Sequence, residues 1–165
     1  MGIIDDSVRE NEAYASSFTS GDLTSPPSKN LAVVACMDAR MNVENILGIK
    51  LGEAHIIRNA GGSVTEDALR SLIVSTKLLG TKEFMIINHT DCGMMKFKDE
   101  DLKSQLLEET GTGAVSPSFF YPFKDLEANV REQIQKVKTH PWIPDSIVVR
   151  GFVYDVKTGK LSEVK

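Results

Sequence analysis

The chain has 165 residues, 41% of them hydrophobic, which is enough to bury one sizeable core. A formal net charge of −4 argues against nucleic acid or an anionic membrane surface as a partner, and no apolar run approaches the ~20 residues of a membrane span. Two cysteines in a chain of this length do not form a disulfide framework, so we expect a reducing, cytoplasmic setting.

The first 30 residues predict a short helix followed by an extended arm. A helical pattern runs over residues 5–18, and the stretch 19–30 contains proline and glycine that prevent regular structure. We therefore divide the chain into an N-terminal helical arm, 1–30, and a single α/β domain, 31–165.

Beyond the arm, strands and helices alternate. The continuous apolar run 31–36 is typical of a strand covered on both faces. Ser63-Val64-Thr65-Glu66 fits a capping box for a helix that ends near Leu79, before Gly80. Further strands are expected at 54–58, 83–88 and 147–154, further helices at 43–47, 99–109 and 126–138, and a terminal hairpin around 157–160. This alternation predicts an α/β fold with a mainly parallel central sheet flanked by helices.

The only two cysteines lie in short motifs that each follow a predicted strand. Cys36-Met37-Asp38-Ala39-Arg40 follows the strand at 31–36, and His89-Thr90-Asp91-Cys92 follows the strand at 83–88. If these strands lie side by side in a parallel sheet, the motifs meet at its carboxyl edge, where ligands gather. Two thiolates and one imidazole suit zinc, and three protein ligands leave its fourth tetrahedral position open, as in catalytic sites.

Several of these residues also have a purely structural interpretation. A buried free cysteine is ordinarily a small inert hydrophobe, and a disulfide between the two cysteines is a further alternative that a reducing setting disfavours. Asp38 and Arg40 could form an ordinary surface ion pair. Arg58 and Asn59 suit hydrogen bonds that tie a strand to its loop, and the acidic run 99–101 suits a solvated helix start.

Three motifs, in this order along the chain, resemble those of the β-class carbonic anhydrases. Cys-x-Asp-x-Arg stands at 36–40, Arg-Asn-x-Gly at 58–61 and His-x-x-Cys-Gly at 89–93, each at the end of a predicted strand. The resemblance covers residues 31–155 and implies a β-carbonic-anhydrase-like fold. The short chain and its Cys-Met-Asp-Ala-Arg motif are similar to the minimal branch of the family, which also contains carbonyl sulfide hydrolases.

The resemblance assigns roles to five residues. It implies that Cys36, His89 and Cys92 hold one Zn²⁺ per chain, with water or hydroxide in the open position. Asp38 would accept a hydrogen bond from that hydroxide, and Arg40 would keep Asp38 ionised and in place. In some members of the family this aspartate swings onto the metal and closes the site, and the sequence leaves both states open.

The function implied is a zinc-dependent addition of metal-bound hydroxide to a small linear substrate, in the first place reversible hydration of CO₂ to bicarbonate. Carbonyl sulfide hydrolysis to H₂S and CO₂ by the same mechanism is the alternative, and a non-catalytic zinc-binding or redox-sensing module is the third hypothesis. The resemblance also implies a homodimer or a higher homo-oligomer such as a homotetramer, joined through residues 1–30 as a dimerisation arm. Larger members place a glutamine from this region beside the zinc, whereas residues 1–30 contain none, so we expect a differently built pocket wall.

Overall fold

The computed structural model describes residues 2–165, so that Met1, the first residue of the predicted arm, lies outside the described residues. Its strands are β1 (Leu31–Cys36), β2 (Ala54–Asn59), β3 (Glu83–His89), β4 (Val148–Tyr154) and β5 (Leu161–Val164). Its α-helices are α1 (Ile3–Ser16), α2 (Val43–Leu47), α3 (Glu66–Leu79), α4 (Asp99–Thr110) and α5 (Leu126–Lys138). Two short 3₁₀ turns, Ala60–Gly62 and Gly93–Met95, follow β2 and β3.

The strands form one five-stranded sheet in the order β2-β1-β3-β4-β5. The first four strands run parallel, and β5 pairs antiparallel with β4 through the terminal hairpin. The predicted α/β fold with a mainly parallel central sheet is therefore confirmed.

Both faces of the sheet are covered, which explains the continuous apolar run of β1. One core cluster joins β1, β3 and β4 to α3 and α5, with Leu72 and Val137 fully buried. The other lies on the opposite side and contains Val43 of α2 together with both cysteines. The strand β1 lies between β2 and β3, and Cys36 at its carboxyl end belongs to this second cluster.

The start of α3 differs from the prediction. The helix begins at Glu66 with Thr65 as its N-cap, and the Thr65 side chain accepts a hydrogen bond from the Ala68 N–H at 3.3 Å. Ser63 is not the cap, because its side-chain oxygen bonds no helix N–H, while its N–H and carbonyl are both held by the Asn59 side chain. The predicted end is confirmed, since Gly80 takes a left-handed conformation directly after Leu79.

The acidic start of α4 is also less solvated than predicted. The Asp99 side chain is buried, and its carboxylate accepts a hydrogen bond from the Phe120 N–H at 2.7 Å and pairs with Lys103. It therefore fastens the loop between α4 and α5, a long-range contact that a run of acidic residues does not reveal.

The helix α1 stands apart from the core. It begins two residues earlier than predicted, and no residue from Ile3 to Ser16 is buried. After it, the Ser28 N–H donates to the carbonyl of Gly52 in the turn before β2, and His55 of β2 bonds the Ser25 carbonyl, so that the arm is tied to this edge of the sheet. Within residues 2–165, no helix is both long enough and apolar enough to cross a bilayer.

Candidate metal centre

The carboxyl ends of two neighbouring strands bring together three side chains that could hold a metal ion. Cys36 ends β1, His89 ends β3, and Cys92 follows in the loop after β3. Because β1 and β3 pair in parallel, both strands end at the same edge of the sheet. The two sulfur atoms and a ring nitrogen of His89 all lie within 4.8 Å of one another. The exposed fractions are 4% for Cys36, 1% for His89 and 2% for Cys92, so the group is buried.

The His89 ring is oriented so that one nitrogen is left for a ligand. Nδ1 lies 2.9 Å from the Thr90 carbonyl oxygen, which can only accept, so Nδ1 carries the proton and Nε2 presents its lone pair. Among residues 2–165, the buried side-chain nitrogens and oxygens without a hydrogen-bond partner are His89 Nε2 and Ser63 Oγ. A buried, unpartnered ring nitrogen beside two sulfurs fits a metal ligand.

The surroundings shift the pKa values of the two cysteine thiols in opposite directions. The neighbouring Cys92 thiol holds the pKa of Cys36 well below its usual range; burial opposes this shift, while His89 and the N–H groups of Asp38 and Gly61 reinforce it. The same contact with Cys36 raises the pKa of Cys92. Burial by itself would lower the pKa of His89, but the neighbouring Cys36 sulfur raises it overall. One thiolate is thus stabilised by the protein, and a divalent cation would favour deprotonation of the second.

Asp38 and Arg40 form a two-point ion pair beside this group. Arg40 Nε donates to Asp38 Oδ1 at 2.9 Å and Nη2 donates to Oδ2 at 2.8 Å, while the Arg40 backbone N–H also reaches Oδ1 at 2.9 Å. These bonds hold the pKa of Asp38 well below its usual range. Asp38 Oδ2 lies 3.7 Å from His89 Nε2. An ionised carboxylate therefore borders the group of Cys36, His89 and Cys92, and in this structure Arg40 holds it.

The backbone of the first motif is clamped from β2. Arg58 donates from Nε to the Cys36 carbonyl at 3.0 Å and from Nη2 to the Asp38 carbonyl at 2.7 Å. Asn59 bonds both the N–H and the carbonyl of Ser63. The prediction that Arg58 and Asn59 tie a strand to a loop is confirmed: Arg58 holds the segment that carries Cys36 and Asp38, and Asn59 holds the turn that follows β2.

A second carboxylate orients Arg40 from the other motif. Arg40 Nη1 donates to Asp91 Oδ2 at 3.0 Å and Nη2 donates to the Asp91 carbonyl at 3.2 Å, while Lys96 lies 2.8 Å from Asp91 Oδ1. Lys96, followed by Arg40, lowers the pKa of Asp91. These side chains are about half exposed, so the pairs add little stability, and their consequence is the orientation of Arg40. The sequence contains no local signal for the contribution of Lys96.

The donor set decides which ion the site suits. Two thiolates and one imidazole are borderline-soft ligands that fit zinc in a tetrahedral arrangement, and three such ligands leave one position for water or substrate. The group that could hold a metal contains Cys36, His89 and Cys92, while Asp38 is held by Arg40. The remaining histidines of the described chain lie elsewhere: His55 bonds Ser75, and His140 packs edge-on against Trp142.

Comparison with known proteins agrees with this geometry. A sequence model of the carbonic anhydrase family matches residues 31–118. The chain is 48% identical over 164 residues to beta-carbonic anhydrase 1 of Mycobacterium tuberculosis, covering 99% of each protein. It is 36% identical to a carbon disulfide hydrolase of Saccharolobus solfataricus, covering 96% of this chain and 87% of that one. The crystal structure of a carbonic anhydrase from Streptococcus mutans, 41% identical, superposes with a TM-score of 0.94 over 100% of this chain and 99% of that chain.

Proposed function

The chain belongs to the β-carbonic anhydrase family of enzymes, and from this premise we propose that it catalyses the reversible hydration of CO₂ to bicarbonate with one zinc ion per chain. Cys36, His89 and Cys92 would hold the zinc, and Asp38 with Arg40 would orient the attacking water. A site built from two reduced cysteines suits a reducing compartment, so we place the enzyme in the cytoplasm.

One observation carries this proposal. His89 Nε2 is buried without a partner next to two cysteine sulfurs, and the ionised Asp38 carboxylate stands 3.7 Å from it. A purely structural zinc site is ordinarily closed by a fourth protein ligand, whereas here the nearest carboxylate is held by Arg40. The geometry therefore favours an open catalytic site over a non-catalytic zinc-binding or redox-sensing module.

Zinc, when bound, supplies the Lewis acidity that makes water nucleophilic near neutral pH. The protein supplies orientation. Because Arg40 keeps the pKa of Asp38 low, the carboxylate is ionised at neutral pH and can only accept hydrogen bonds. A water molecule that donates to Asp38 directs its lone pair away from the carboxylate and towards the carbon of a linear substrate. Asp91 and Arg58 fix Arg40 and the Asp38 backbone, so that little reorganisation is needed.

Hydrolysis of a sulfur analogue of CO₂ is the second candidate. The 36% identity to a carbon disulfide hydrolase over 96% of this chain is the observation that favours it. Carbonyl sulfide is linear with an electrophilic carbon, as CO₂ is, and its hydrolysis gives CO₂ and H₂S. A size difference of one atom in an apolar pocket gives only about 10–200-fold discrimination, so we expect measurable turnover of both substrates.

The test compares both reactions on one preparation. Zinc content is measured first; kcat/KM is then determined for CO₂ hydration by stopped-flow and for H₂S release from carbonyl sulfide. We expect about one zinc per chain and the higher kcat/KM for CO₂. Rapid H₂S release with negligible hydration would reverse the order of the two candidates, and zinc-loaded protein that turns over neither substrate would contradict the enzymatic role.

We also propose that the enzyme is a homodimer or a larger homo-oligomer joined by the arm. The helix α1 exposes Ile4, Val8 and Tyr14 and contributes no buried residue to its own chain within the described residues. A groove of about 800 Å³ lies between α3 and the loop before α5, bordered by apolar side chains that include Ile73 and Trp142. The strand β2 is an edge strand of the described sheet. A helix with exposed apolar side chains, a groove bordered by apolar side chains and an edge strand are surfaces that a second copy can cover.

A further inference from the structure

The 3₁₀ turn at Ala60–Gly62 packs directly on the strands that carry the metal-binding residues. Gly62 has φ of +60°, and a Cβ atom there would lie 2.9 Å from both the Cys36 nitrogen and the Ile87 carbonyl oxygen. Backbone therefore lies on backbone, with no side chain between the turn and the end of β1. The position of the turn therefore limits where the Cys36 main chain, and with it the Cys36 side chain, can lie.

Three buried amide side chains form one hydrogen-bonded chain that is connected to the same turn. Asn88 Nδ2 donates to the carbonyl oxygens of Gly61 and Gly62 at 2.9 and 3.3 Å. Asn88 Oδ1 accepts from Asn129 Nδ2 at 2.7 Å, and Asn129 Oδ1 accepts from Gln133 Nε2 at 3.0 Å. All three side chains are buried.

The chain of amides returns to the peptide segment from which it starts. Gln133 Oε1 accepts from the Val64 N–H at 2.8 Å, two residues after Gly62. One end of the chain thus meets a main-chain donor and the other end meets main-chain acceptors. This fixes the orientation of every amide group between them, because a flipped amide would set like groups against each other. The network has a single arrangement, and that arrangement fixes the turn at its carbonyls and at its exit.

Two of the three amides come from α5, which supplies no metal-binding residue. The helix lies close enough to the sheet that a Cβ on Gly151 of β4 would clash with Val130 of α5. Buried amides are costly unless all their hydrogen bonds form, so a network of this kind is rigid when complete and disruptive when one member is lost. Apolar side chains would fill the same space without directing the turn, which indicates a positioning role beyond packing.

We propose that the amide chain Gln133–Asn129–Asn88 holds the Gly61–Gly62 turn against the main chain of Cys36 and thereby strengthens metal binding, which makes Asn129 and Gln133 positioning residues for the zinc centre. The inference rests on the proposed zinc-dependent function. Residues that orient metal ligands through hydrogen bonds typically change metal affinity by 10–100-fold when removed, and the amide chain acts through one more step. We therefore expect an effect near the lower end of that range.

The test uses the full-length zinc enzyme and Gln133→Met, which keeps the length of the side chain and removes both hydrogen bonds. Asn129→Ser is the second variant, so that the result does not depend on one protein folding well. The matched control is Ser75→Ala. Ser75 is equally buried and bonds His55 and Thr81 at 2.7 and 2.6 Å, but this network lies at the amino-terminal end of β3, away from the metal-binding residues.

Zinc release to a chromophoric chelator is measured for all four proteins, together with the free energy of unfolding. The thiolate-to-metal charge-transfer band of the cobalt-substituted proteins gives a spectroscopic readout that general destabilisation does not move. We expect zinc release from both amide variants to accelerate about 10-fold and the band to shift, while Ser75→Ala loses stability with zinc release and spectrum unchanged. Equal zinc release and equal spectra in variants and control would overturn the inference alone. A parent protein that binds no zinc would overturn the proposed function and the inference with it.

Discussion

Asp38 and Arg40 meet through two nearly parallel hydrogen bonds, Nε to Oδ1 at 2.9 Å and Nη2 to Oδ2 at 2.8 Å. The same Oδ2 atom lies 3.7 Å from His89 Nε2, the atom proposed to bind zinc. Arg40 therefore holds an ionised carboxylate beside the metal position without itself occupying it. The proposed mechanism thus divides two tasks, in which the three ligands would bind the metal and the ion pair would orient the water.

This separation predicts that Asp38→Ala keeps its zinc and loses most of its turnover. Removal of one orienting acceptor should lower kcat/KM for CO₂ hydration by at least about 100-fold at neutral pH. The matched control is Asp67→Ala, which removes an aspartate from an exposed ion pair with Arg70 on α3. Zinc content and stopped-flow rates are measured for both variants. Parental activity in Asp38→Ala would rule out the orienting role.

A second prediction concerns the ligands. Cys36→Ser, His89→Ala and Cys92→Ser should each lose most of the bound zinc, because two remaining protein ligands hold the ion far more weakly than three. His55→Ala serves as the control, since His55 bonds Ser75 and lies on a different part of the sheet from the three proposed ligands. Metal analysis of the purified proteins gives the answer. Near-stoichiometric zinc in any of the three ligand variants would show that the assigned residue is not a ligand.

A third prediction distinguishes the cost of a left-handed backbone conformation from the cost of a steric clash between a new side chain and the backbone. Gly48 and Gly62 have nearly equal φ values, +62° and +60°, but a Cβ on Gly48 meets nothing within 4 Å, whereas one on Gly62 meets the Cys36 nitrogen. We expect Gly48→Ala to cost about 1 kcal/mol of unfolding free energy and Gly62→Ala at least about 2 kcal/mol more. Urea denaturation of the zinc-loaded proteins measures the difference. Equal losses would mean that the turn can move away from β1.

The fourth prediction tests the arm. Replacement of Ile4 and Val8 by serine removes two exposed aliphatic side chains from α1, while replacement of Glu10 and Glu12 by serine gives a matched pair of changes in the same helix. If α1 docks on a second copy, the first double variant should weaken self-association by at least about 100-fold. Light scattering across a concentration series measures the dissociation constant. An oligomer that is unaffected by the aliphatic changes, or a parent protein that is monomeric, would contradict the proposed interface.

Local patterns were sufficient to predict most of the fold. The apolar run of β1 and the periodicity of α5 depend on neighbouring residues alone, and both elements match their predicted bounds. The meeting of Cys36 with His89 and Cys92 followed from one topological assumption, that β1 and β3 are neighbours, and the sheet order bears this out.

The sequence does not indicate which residues form hydrogen bonds with partners that are distant along the chain. Asn129 and Gln133 occupy polar positions of an amphipathic helix, and nothing in their surroundings indicates that they bond Asn88 and Val64. The sequence predicts that Asp99 is solvated, because the loop that covers it in the structure lies about 20 residues further along the chain. Such contacts depend on tertiary packing, which periodicity and capping motifs do not encode.

If the chain binds zinc as proposed, the separation of the three proposed ligands along the sequence has a consequence for biosynthesis. Cys36 ends β1, and His89 comes only after α2, β2 and α3 have been made, so no short hairpin can chelate the ion on its own. Parallel pairing of β1 with β3 must come first, and contacts between distant segments form slowly. A newly synthesised chain would therefore acquire its ion late, when the sheet has closed around β1. Acquisition of the metal can thus mark the molecules that have completed folding.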